Sequence, residues 1–402
     1  MIRGLRRVRG GVDYNEMARF RSGSQNYRQG FMESFTEGLE AEEINPESFS
    51  LRMLFESLIE GGREIIDSWN PQYGPHGRIM LTEAGGVVST ADFSNITGQI
   101  MYATILKAWQ NPMLLQDQLT RNVPTPYSGE KIPGIGNVGD VAQVVREGRD
   151  FPVAGVSEEW IETPQTTKRG FLVEVTKEAA YFDRTGQVLQ RCREITTALA
   201  INKEKRVLDA VCGITDLYRR NGGAAQATYG SSHTNGDFSN LKASNGLTDW
   251  TNIEAAELVF DAITDPNTGE PILIDKTQMQ ILVATAKNYS ASFALSPDVV
   301  RREDRGSSAA ATITETRGRN PVRPYPVLSN AYVKSRSSSD TTWWIGNFQD
   351  AFEYRENWPI TPVTSPASNH DEIHRDIIQT TKVSEMGAVA VVEPRKVVKN
   401  TA

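Results

Sequence analysis

The stretch that decides how this chain folds is residues 138–175, which read VGDVAQVVREGRDFPVAGVSEEWIETPQTTKRGFLVEV. Apolar and polar residues alternate along both halves, which predicts two strands joined as a long antiparallel pair. Gly148, Pro152 and Gly155 interrupt the middle, as is typical of a bent and exposed strand pair. This ribbon, residues 138–175, is too long and too polar to be buried in a compact domain, so we predict that it contacts a neighbouring copy of the chain. Its candidate contact residues are Val141, Val145, Arg146, Arg149, Phe151 and Trp160.

A long helix is predicted directly after the ribbon. It starts near Asp183, a residue type that often caps helices, and runs to about Val211. Its apolar residues recur at spacings of +4, +3 and +4 and therefore lie on one face. A helix of this length measures about 40 Å. The residues predicted to be buried on this face are Val188, Cys192, Ile195 and Leu199.

The cysteine content predicts no disulfide framework. Cys192 and Cys212 are the two cysteines of the sequence, and both occupy apolar positions in or at the end of the predicted helix. We therefore expect two buried free thiols in a reducing compartment.

The overall composition, with 39% hydrophobic and 23% charged residues, is that of an ordinary soluble protein. A length of 402 residues is enough for two or three compact units. No run of 18 apolar residues occurs, so we expect no membrane span and no membrane partner. The first residues, MIRGLRRVRGG, are charged but have no apolar segment behind them, so we expect no secretory signal.

Charge is distributed unevenly along the first 67 residues. Residues 1–30 carry seven arginines against two acids, whereas residues 31–67 carry ten acids against two arginines. Residues 1–30, the arginine-rich arm, therefore have the charge pattern of an interaction tail. The arm is predicted to bind phosphates by releasing counterions, or to bind the acidic segment of another copy. A mobile, solvated terminus is the alternative. The candidate DNA-facing residues are Arg3, Arg6, Arg7 and Arg9.

The remaining pattern alternates between helices and short strands. A helix is predicted over residues 94–120, and a second one opens at a capping box formed by Thr251 and Glu254. Trp343 and Trp344 fall in a strand, so one ring is expected to face the core and the other to face outward. Further strands are predicted at Met279–Val283, Pro326–Val333, Thr342–Ile345, Ala351–Tyr354, Ile373–Thr381 and Val389–Val392.

Two motifs suggest an enzyme, but their contexts argue against one. Gly134–Gly139 matches the glycine pattern of dinucleotide sites, yet a polar segment precedes it and a strand pattern follows it. His370 and His374 are spaced like zinc ligands, but the nearby Glu372 is one place late and the segment is not helical. We therefore predict no catalytic residue, no cofactor and no metal, and keep a nucleotide-dependent or metal-dependent enzyme as an alternative.

The order of these parts resembles the major capsid proteins of tailed phages, which have the Hong Kong 97-type fold. The resemblance is carried by the ribbon, by the stretch Phe171–Glu178 that enters the long helix, by the helix itself and by the tail strands Phe348–Pro359 and Ile373–Pro394. It covers roughly residues 80–402. It implies an α+β fold with an N-terminal arm, an extended β-hairpin loop, a peripheral domain with a long spine helix, and an axial domain.

The resemblance also implies a function. Members of the capsid family that the chain resembles self-assemble into an icosahedral shell of hexamers and pentamers. The shell encloses double-stranded DNA, which the subunits contact without sequence specificity. Portal, scaffold and decoration proteins are the other implied partners. The implied location is the virion, after assembly in the host cytoplasm. A nanocompartment shell of the encapsulin type is the alternative.

The resemblance divides the chain into six segments. The first is the arm or scaffold-like segment, and the last holds strands that return through both domains. The segments are 1–78 (arm), 79–127 (part of the peripheral domain), 128–177 (extended loop), 178–265 (peripheral domain with the spine helix), 266–345 (axial domain) and 346–402 (returning strands).

Overall fold

The computed structural model divides the chain into two compact units. The first unit comprises Met1–Asn111, Lys168–Ile201 and Pro359–Glu385, and the second comprises Pro112–Thr167, Asn202–Trp358 and Met386–Ala402. The residues that the structure describes are 7–8, 11–12, 25–41, 69–70, 74–75, 90–111, 113–133, 160–176, 187–233, 238–264, 271–296, 300–304, 312–316, 323–366, 375 and 377–402.

Helices and strands alternate along the chain, which confirms the predicted α+β class. The helices are α1 (Gln25–Glu40), α2 (Thr90–Trp109), α3 (Gln116–Leu119), α4 (Gln187–Val211), α5 (Trp250–Asp261), α6 (Asn288–Leu295), α7 (Ala331–Ser337) and α8 (Phe348–Ala351). The strands are β1 (Arg7–Val8), β2 (Gly11–Val12), β3 (Trp69–Asn70), β4 (Gly74–Pro75), β5 (Arg121–Pro124), β6 (Lys131–Pro133), β7 (Trp160–Glu162), β8 (Thr167–Thr176), β9 (Leu241–Lys242), β10 (Gln280–Ala284), β11 (Val300–Asp304), β12 (Thr312–Thr316), β13 (Val327–Asn330), β14 (Trp343–Gly346), β15 (Phe352–Pro366), β16 (Ile377–Val391) and β17 (Val397–Asn400).

Two sheets are larger than a strand pair among the described residues. One has the order β13-β10-β14-β17-β9, and the other has the order β5-β15-β16-β8. In the first sheet β10 pairs parallel with β13 and antiparallel with β14, and β14 pairs antiparallel with β17. The parallel β10–β13 pair requires a crossover connection, which runs through α6.

The five-stranded sheet of the second unit is buried on both faces. Trp343 packs in an apolar cluster with Ile281 and Val283, whereas Trp344 packs in a different cluster with Leu282. Both rings are fully buried, so the prediction that one of them faces outward is wrong. The alternation of faces is present, but each face of the sheet is covered by its own apolar layer.

The N-cap of helix α5 lies two residues before the predicted one. Asp249 has extended backbone at the N-cap and accepts a hydrogen bond from the Trp250 amide at 2.6 Å. The side chain of Asn252 reaches back and accepts from the Asp249 amide at 3.0 Å. The capping pair is therefore Asp249 with Asn252, and the predicted pair of Thr251 with Glu254 is wrong.

The predicted helix over residues 94–120 is wrong in its second half. Helix α2 ends at Trp109, and the Gln110 amide makes the last helical bond, to the Leu106 carbonyl at 3.1 Å. Pro112 disfavours helical backbone at the residue before it, so the chain leaves the helix there.

Helix α4 confirms the predicted long helix and ends where predicted, at Val211. Gly213 has a positive φ of 68° and its amide donates to the Ala210 carbonyl, while the Ile214 amide donates to the Asp209 carbonyl at 2.9 Å. This pair of bonds is a Schellman motif, in which glycine takes the left-handed conformation at little cost.

The buried stripe in the first half of α4 is displaced by about one residue from the predicted one. Cys192 is fully buried as predicted, and Leu199 packs against the cluster of Ile105, Ile360 and Val383. Ile195 is 40% exposed, so its prediction as a core residue is wrong, and the side chain of Val188 lies outside the described residues. The residues that are buried here are Leu189, Cys192, Thr196 and Ala200.

Thr196 explains the displacement. Its hydroxyl donates to the Cys192 carbonyl at 2.7 Å, one helical turn earlier. A threonine that satisfies its own hydroxyl within the helix can be buried like an apolar residue, which a hydrophobicity pattern does not indicate.

Both cysteines are buried free thiols, as predicted. Burial raises the pKa of the Cys192 thiol to about 11 and that of the Cys212 thiol to about 12.

Candidate functional site at the base of the ribbon

The two strands at the base of the ribbon, β6 and β7, pair antiparallel. Their register places Lys131 opposite Glu162 and Pro133 opposite Trp160. The chain therefore enters and returns from residues 134–159 at neighbouring points. The ribbon candidates Val141, Val145, Arg146, Arg149 and Phe151 fall between these strands and lie outside the described residues.

The sixth candidate, Trp160, lies in β7 itself. Its side chain is partly buried, and the Lys131 ammonium lies 5.1 Å from the centre of its ring. The Lys131 Nζ is also 3.6 Å from the Glu162 carboxylate. In the isolated chain Trp160 therefore packs against its own strand pair.

A tight hairpin after α4 covers the second edge of β7. Tyr218 and Gln226 form a bridge, and between them Asn221 and Gly222 have φ angles of 51° and 74°. The Gly223 amide closes the turn by donating to the Arg220 carbonyl at 3.0 Å. An Asn-Gly pair with two positive φ angles is the preferred turn of a two-residue β-hairpin.

This hairpin binds β7 through its backbone and through one side chain. The Trp160 amide donates to Oδ1 of Asn221 at 3.0 Å, and the Asn221 amide donates back to the Trp160 carbonyl at 2.9 Å. The Glu162 amide donates to the Arg219 carbonyl at 2.9 Å. Strand β7 thus has a hydrogen-bonded neighbour on each edge, β6 on one and the hairpin on the other.

Ile161 anchors β7 to the core of the second unit. Its side chain is buried in one apolar cluster with Leu115, Val207 and Val211. Burying an isoleucine contributes about 1.5–3 kcal/mol, more than the exposed ion pair beside it.

A turn after β7 breaks the return strand of the ribbon. The Thr163 amide donates to the Glu130 carbonyl at 2.9 Å, and the Glu130 amide donates to the Thr163 hydroxyl at 2.7 Å. Pro164 follows and has no amide to donate. The prediction that residues 138–175 form one strand pair is therefore wrong in its return half: β7 and β8 are separate strands, and β8 pairs in the four-stranded sheet.

Buried charges connect this turn to the neighbouring sheet. The Glu130 carboxylate accepts from the Thr125 hydroxyl at 2.9 Å and lies 3.4 Å from the Arg355 guanidinium. Arg355 also pairs with Glu353 at 2.7 Å, and Arg121 pairs with the same Glu353 carboxylate. Since Arg355 and Glu353 are both buried, their mutual pairing offsets the cost of removing them from water.

A cleft of about 480 Å³ lies beside the ribbon base. Most of its wall is polar or charged, and the side chains carry both signs. The lining residues are Ser128, Gly129, Glu130, Lys131, Glu162, Thr163, Pro164, Gln165, Asp216, Leu217 and Arg219.

A second set of charges, missed by the sequence analysis, is buried in the second unit. The Glu204 carboxylate, fully buried on α4, accepts from the Leu115 amide at 3.1 Å and thereby caps α3. Burial raises the pKa of Glu204, and the hydrogen bonds from the amides of Leu115 and Gln116 partly oppose that shift. The Lys203 ammonium lies 4.1 Å from the centre of the Tyr354 ring.

Other predicted sites fall mainly outside the described residues. These include Arg3, Arg6 and Arg9, the glycine motif Gly134–Gly139 and the motif His370–His374. Arg7 lies in β1, which pairs with β2. Among the residues that are described, no helix is long and apolar enough to cross a membrane, and no group of three His, Cys, Asp or Glu side chains is arranged to hold a metal ion.

Comparison with known proteins identifies the family. Residues 160–400 match the family described as phage capsid protein. The match begins at the first residue of β7 and covers more than half of the sequence, so this chain belongs to the phage capsid protein family. The prediction of a capsid protein that forms a shell is confirmed by this membership. No curated protein matches the chain.

Solved capsid structures resemble the chain at low sequence identity. The capsid of the cyanophage P-SCSP1u has 11% identity and a TM-score of 0.45, and the match covers 84% of this chain and 98% of that one. The structure titled Mycobacterium phage Ogopogo has 13% identity and a TM-score of 0.41, with coverage of 73% and 94%. A virus-like particle from Pyrococcus furiosus has 9% identity and a TM-score of 0.38, with coverage of 74% and 96%.

Proposed function

We propose that this chain is the major capsid protein of an icosahedral shell, built of hexamers and pentamers, that encloses double-stranded DNA. The observation that carries the proposal is the family match over residues 160–400, because it includes β7, the long helix α4 and the sheet of the second unit. The role is structural and involves no catalysis. Assembly takes place in the host cytoplasm, and the finished shell is part of the virion.

In this proposal the ribbon connects neighbouring subunits. The hydrogen bonds on both edges of β7 support a base that stays fixed while the intervening residues reach another copy. Val141, Val145, Arg146, Arg149 and Phe151 are the proposed contacts. Each contact between copies needs to contribute only a few kcal/mol, because every subunit in a shell touches several others and these contacts act together.

The arginine-rich arm is proposed to face the packaged DNA. Seven arginines within residues 1–30 offer charge to phosphates without reading the base sequence. Arg3, Arg6, Arg7 and Arg9 form the densest part of this arm. Binding of this kind weakens steeply with salt, since it depends on the release of counterions from the DNA. Portal, scaffold and decoration proteins are proposed as the further partners of the shell.

Electron microscopy of the purified protein tests the shell proposal. We expect closed particles with five-fold and six-fold clusters, and nucleic acid that nuclease removes only after the particles are opened. Particles that hold co-purified enzymes and no DNA would instead indicate an encapsulin-type compartment. A protein that stays monomeric under all assembly conditions would contradict both functions.

A variant that lacks residues 1–28 tests the arm. If the arm binds DNA, the truncated shells retain less DNA than full-length shells at the same salt concentration. Normally filled particles from this variant would contradict the proposed role.

A further inference from the structure

The cleft beside the ribbon base contains two charges that the described part of the chain leaves without an ion pair. Asp216 and Arg219 are both exposed on its wall, three residues apart. The other charges of the cleft are already engaged, Glu130 with Arg355 and Lys131 with Glu162. Within the described residues, the cleft therefore presents one carboxylate and one guanidinium that form no ion pair.

The ribbon carries charges that complement this pair. Its segment Arg146–Asp150 reads REGRD, with two arginines and two acids in five residues. The sequence therefore offers charges of both signs within five residues, on either side of Gly148.

We propose that the segment Arg146–Asp150 of a neighbouring copy docks in this cleft, with a ribbon arginine on Asp216 and a ribbon carboxylate on Arg219. This inference rests on the proposed shell and names the site that receives the ribbon. Each copy gives its ribbon to one neighbour and receives a ribbon from another. Such head-to-tail contacts close into rings when the rotation between copies allows it.

The chemistry of the cleft argues against other occupants. Small-molecule sites are mostly apolar, whereas Pro164 and Leu217 are the apolar side chains among those that line this cleft. Nucleic acid is disfavoured because three carboxylates, Glu130, Glu162 and Asp216, would face its phosphates. The arginine-rich arm is a poor match, because its seven arginines against two acids would bring an excess of positive charge to Arg219.

The ribbon of the same copy is also a poor occupant. Arg146 follows Pro133 by 13 residues, which in an extended strand corresponds to about 40 Å from the base. The ribbon would have to fold back on itself to reach the cleft, which lies beside the ribbon base. A second copy meets no such requirement.

Charge reversal with compensation tests the contact. The cleft variant is Asp216→Arg, the ribbon variant is Arg146→Asp with Arg149→Asp, and a third protein combines all three changes. Glu254→Arg, at an exposed position of α5 away from the cleft, is the matched control. The readout is the lowest protein concentration that gives shells by sedimentation and electron microscopy, together with the melting temperature of the unassembled subunit.

We expect the cleft variant and the ribbon variant each to raise this concentration about tenfold, because like charges are brought together. The combined protein returns to within about threefold of the wild type, since opposite charges meet again. The control assembles like the wild type, and the melting temperatures of all subunits agree.

Three results would overturn the docking contact while leaving the shell proposal intact. They are normal assembly of Asp216→Arg, a combined protein no better than the weaker single variant, and an equal loss in Glu254→Arg. If the wild type forms no shell, the proposed function fails and the docking contact fails with it.

Discussion

The ribbon base and the buried Glu204 site lie in the same compact unit but are stabilised differently. At the ribbon base, backbone amides and carbonyls on both edges of β7 supply most of the contacts. At Glu204, a single carboxylate satisfies the first amides of α3. The ribbon base should therefore tolerate most side-chain changes, whereas the Glu204 site should not.

Glu204→Ala is expected to have the largest effect. It leaves the buried Leu115 amide without an acceptor and opens a cavity, which together cost about 3 kcal/mol of unfolding free energy. Urea unfolding of the unassembled subunit measures this loss. Glu194→Ala, at an exposed position of the same helix, is the control and should change stability by less than about 0.5 kcal/mol. Similar losses in the two variants would contradict the special role of Glu204.

Asn221→Ala is expected to have an intermediate effect, because it removes the side-chain acceptor that the hairpin offers to β7. The Trp160 amide loses its acceptor, and alanine adopts the left-handed conformation poorly, so the local cost is about 1–2 kcal/mol. Hydrogen exchange at Trp160–Glu162 should accelerate. Asn221→Asp keeps both the acceptor and the tolerance for a positive φ, so its exchange should match that of the wild type. Equal acceleration in both variants would rule out the hydrogen bond as the cause.

A smaller effect is expected in the pH dependence at Glu204. Burial raises the pKa of this carboxyl above its ordinary 4.5, so the folded state holds the proton more tightly than the unfolded state. Its contribution to stability is therefore fully present below pH 4.5 and is lost as the pH rises through the folded pKa. The glutamine in Glu204→Gln does not titrate. The unfolding free energy of the wild type, measured relative to that of this variant, should therefore fall as the pH rises. Parallel stability curves would show that Glu204 has no shifted pKa.

Lys131→Ala is expected to have the smallest effect. The lysine is two-thirds exposed, and its ion pair with Glu162 and its contact with Trp160 are both open to solvent. The expected loss is below about 0.5 kcal/mol, visible as a small shift in melting temperature. A loss above about 1 kcal/mol would mean that side chains, and not the backbone, determine the stability of the ribbon base.

Much of the fold is predictable where a local signal is strong. The end of α4 agrees with the prediction, and so do the buried cysteines. The Asn221–Gly222 dipeptide is an equally strong signal for a hairpin, which the sequence analysis did not use.

The predictions fail at residues whose burial differs from what their residue type or strand position suggests. Thr196 is buried because it bonds its own helix, and the two tryptophans of β14 are buried because both faces of the sheet are covered. Glu204 is buried because α3, 89 positions earlier in the chain, needs an acceptor. Periodicity within one element contains no information about such distant partners.

The two inaccessible thiols make the chain suitable for selective chemistry. Cys192 and Cys212 are protonated at neutral pH and shielded from solvent, so a maleimide reagent should leave the native protein unlabelled. A cysteine introduced at an exposed position would then be the single attachment point for a dye or a peptide on each subunit.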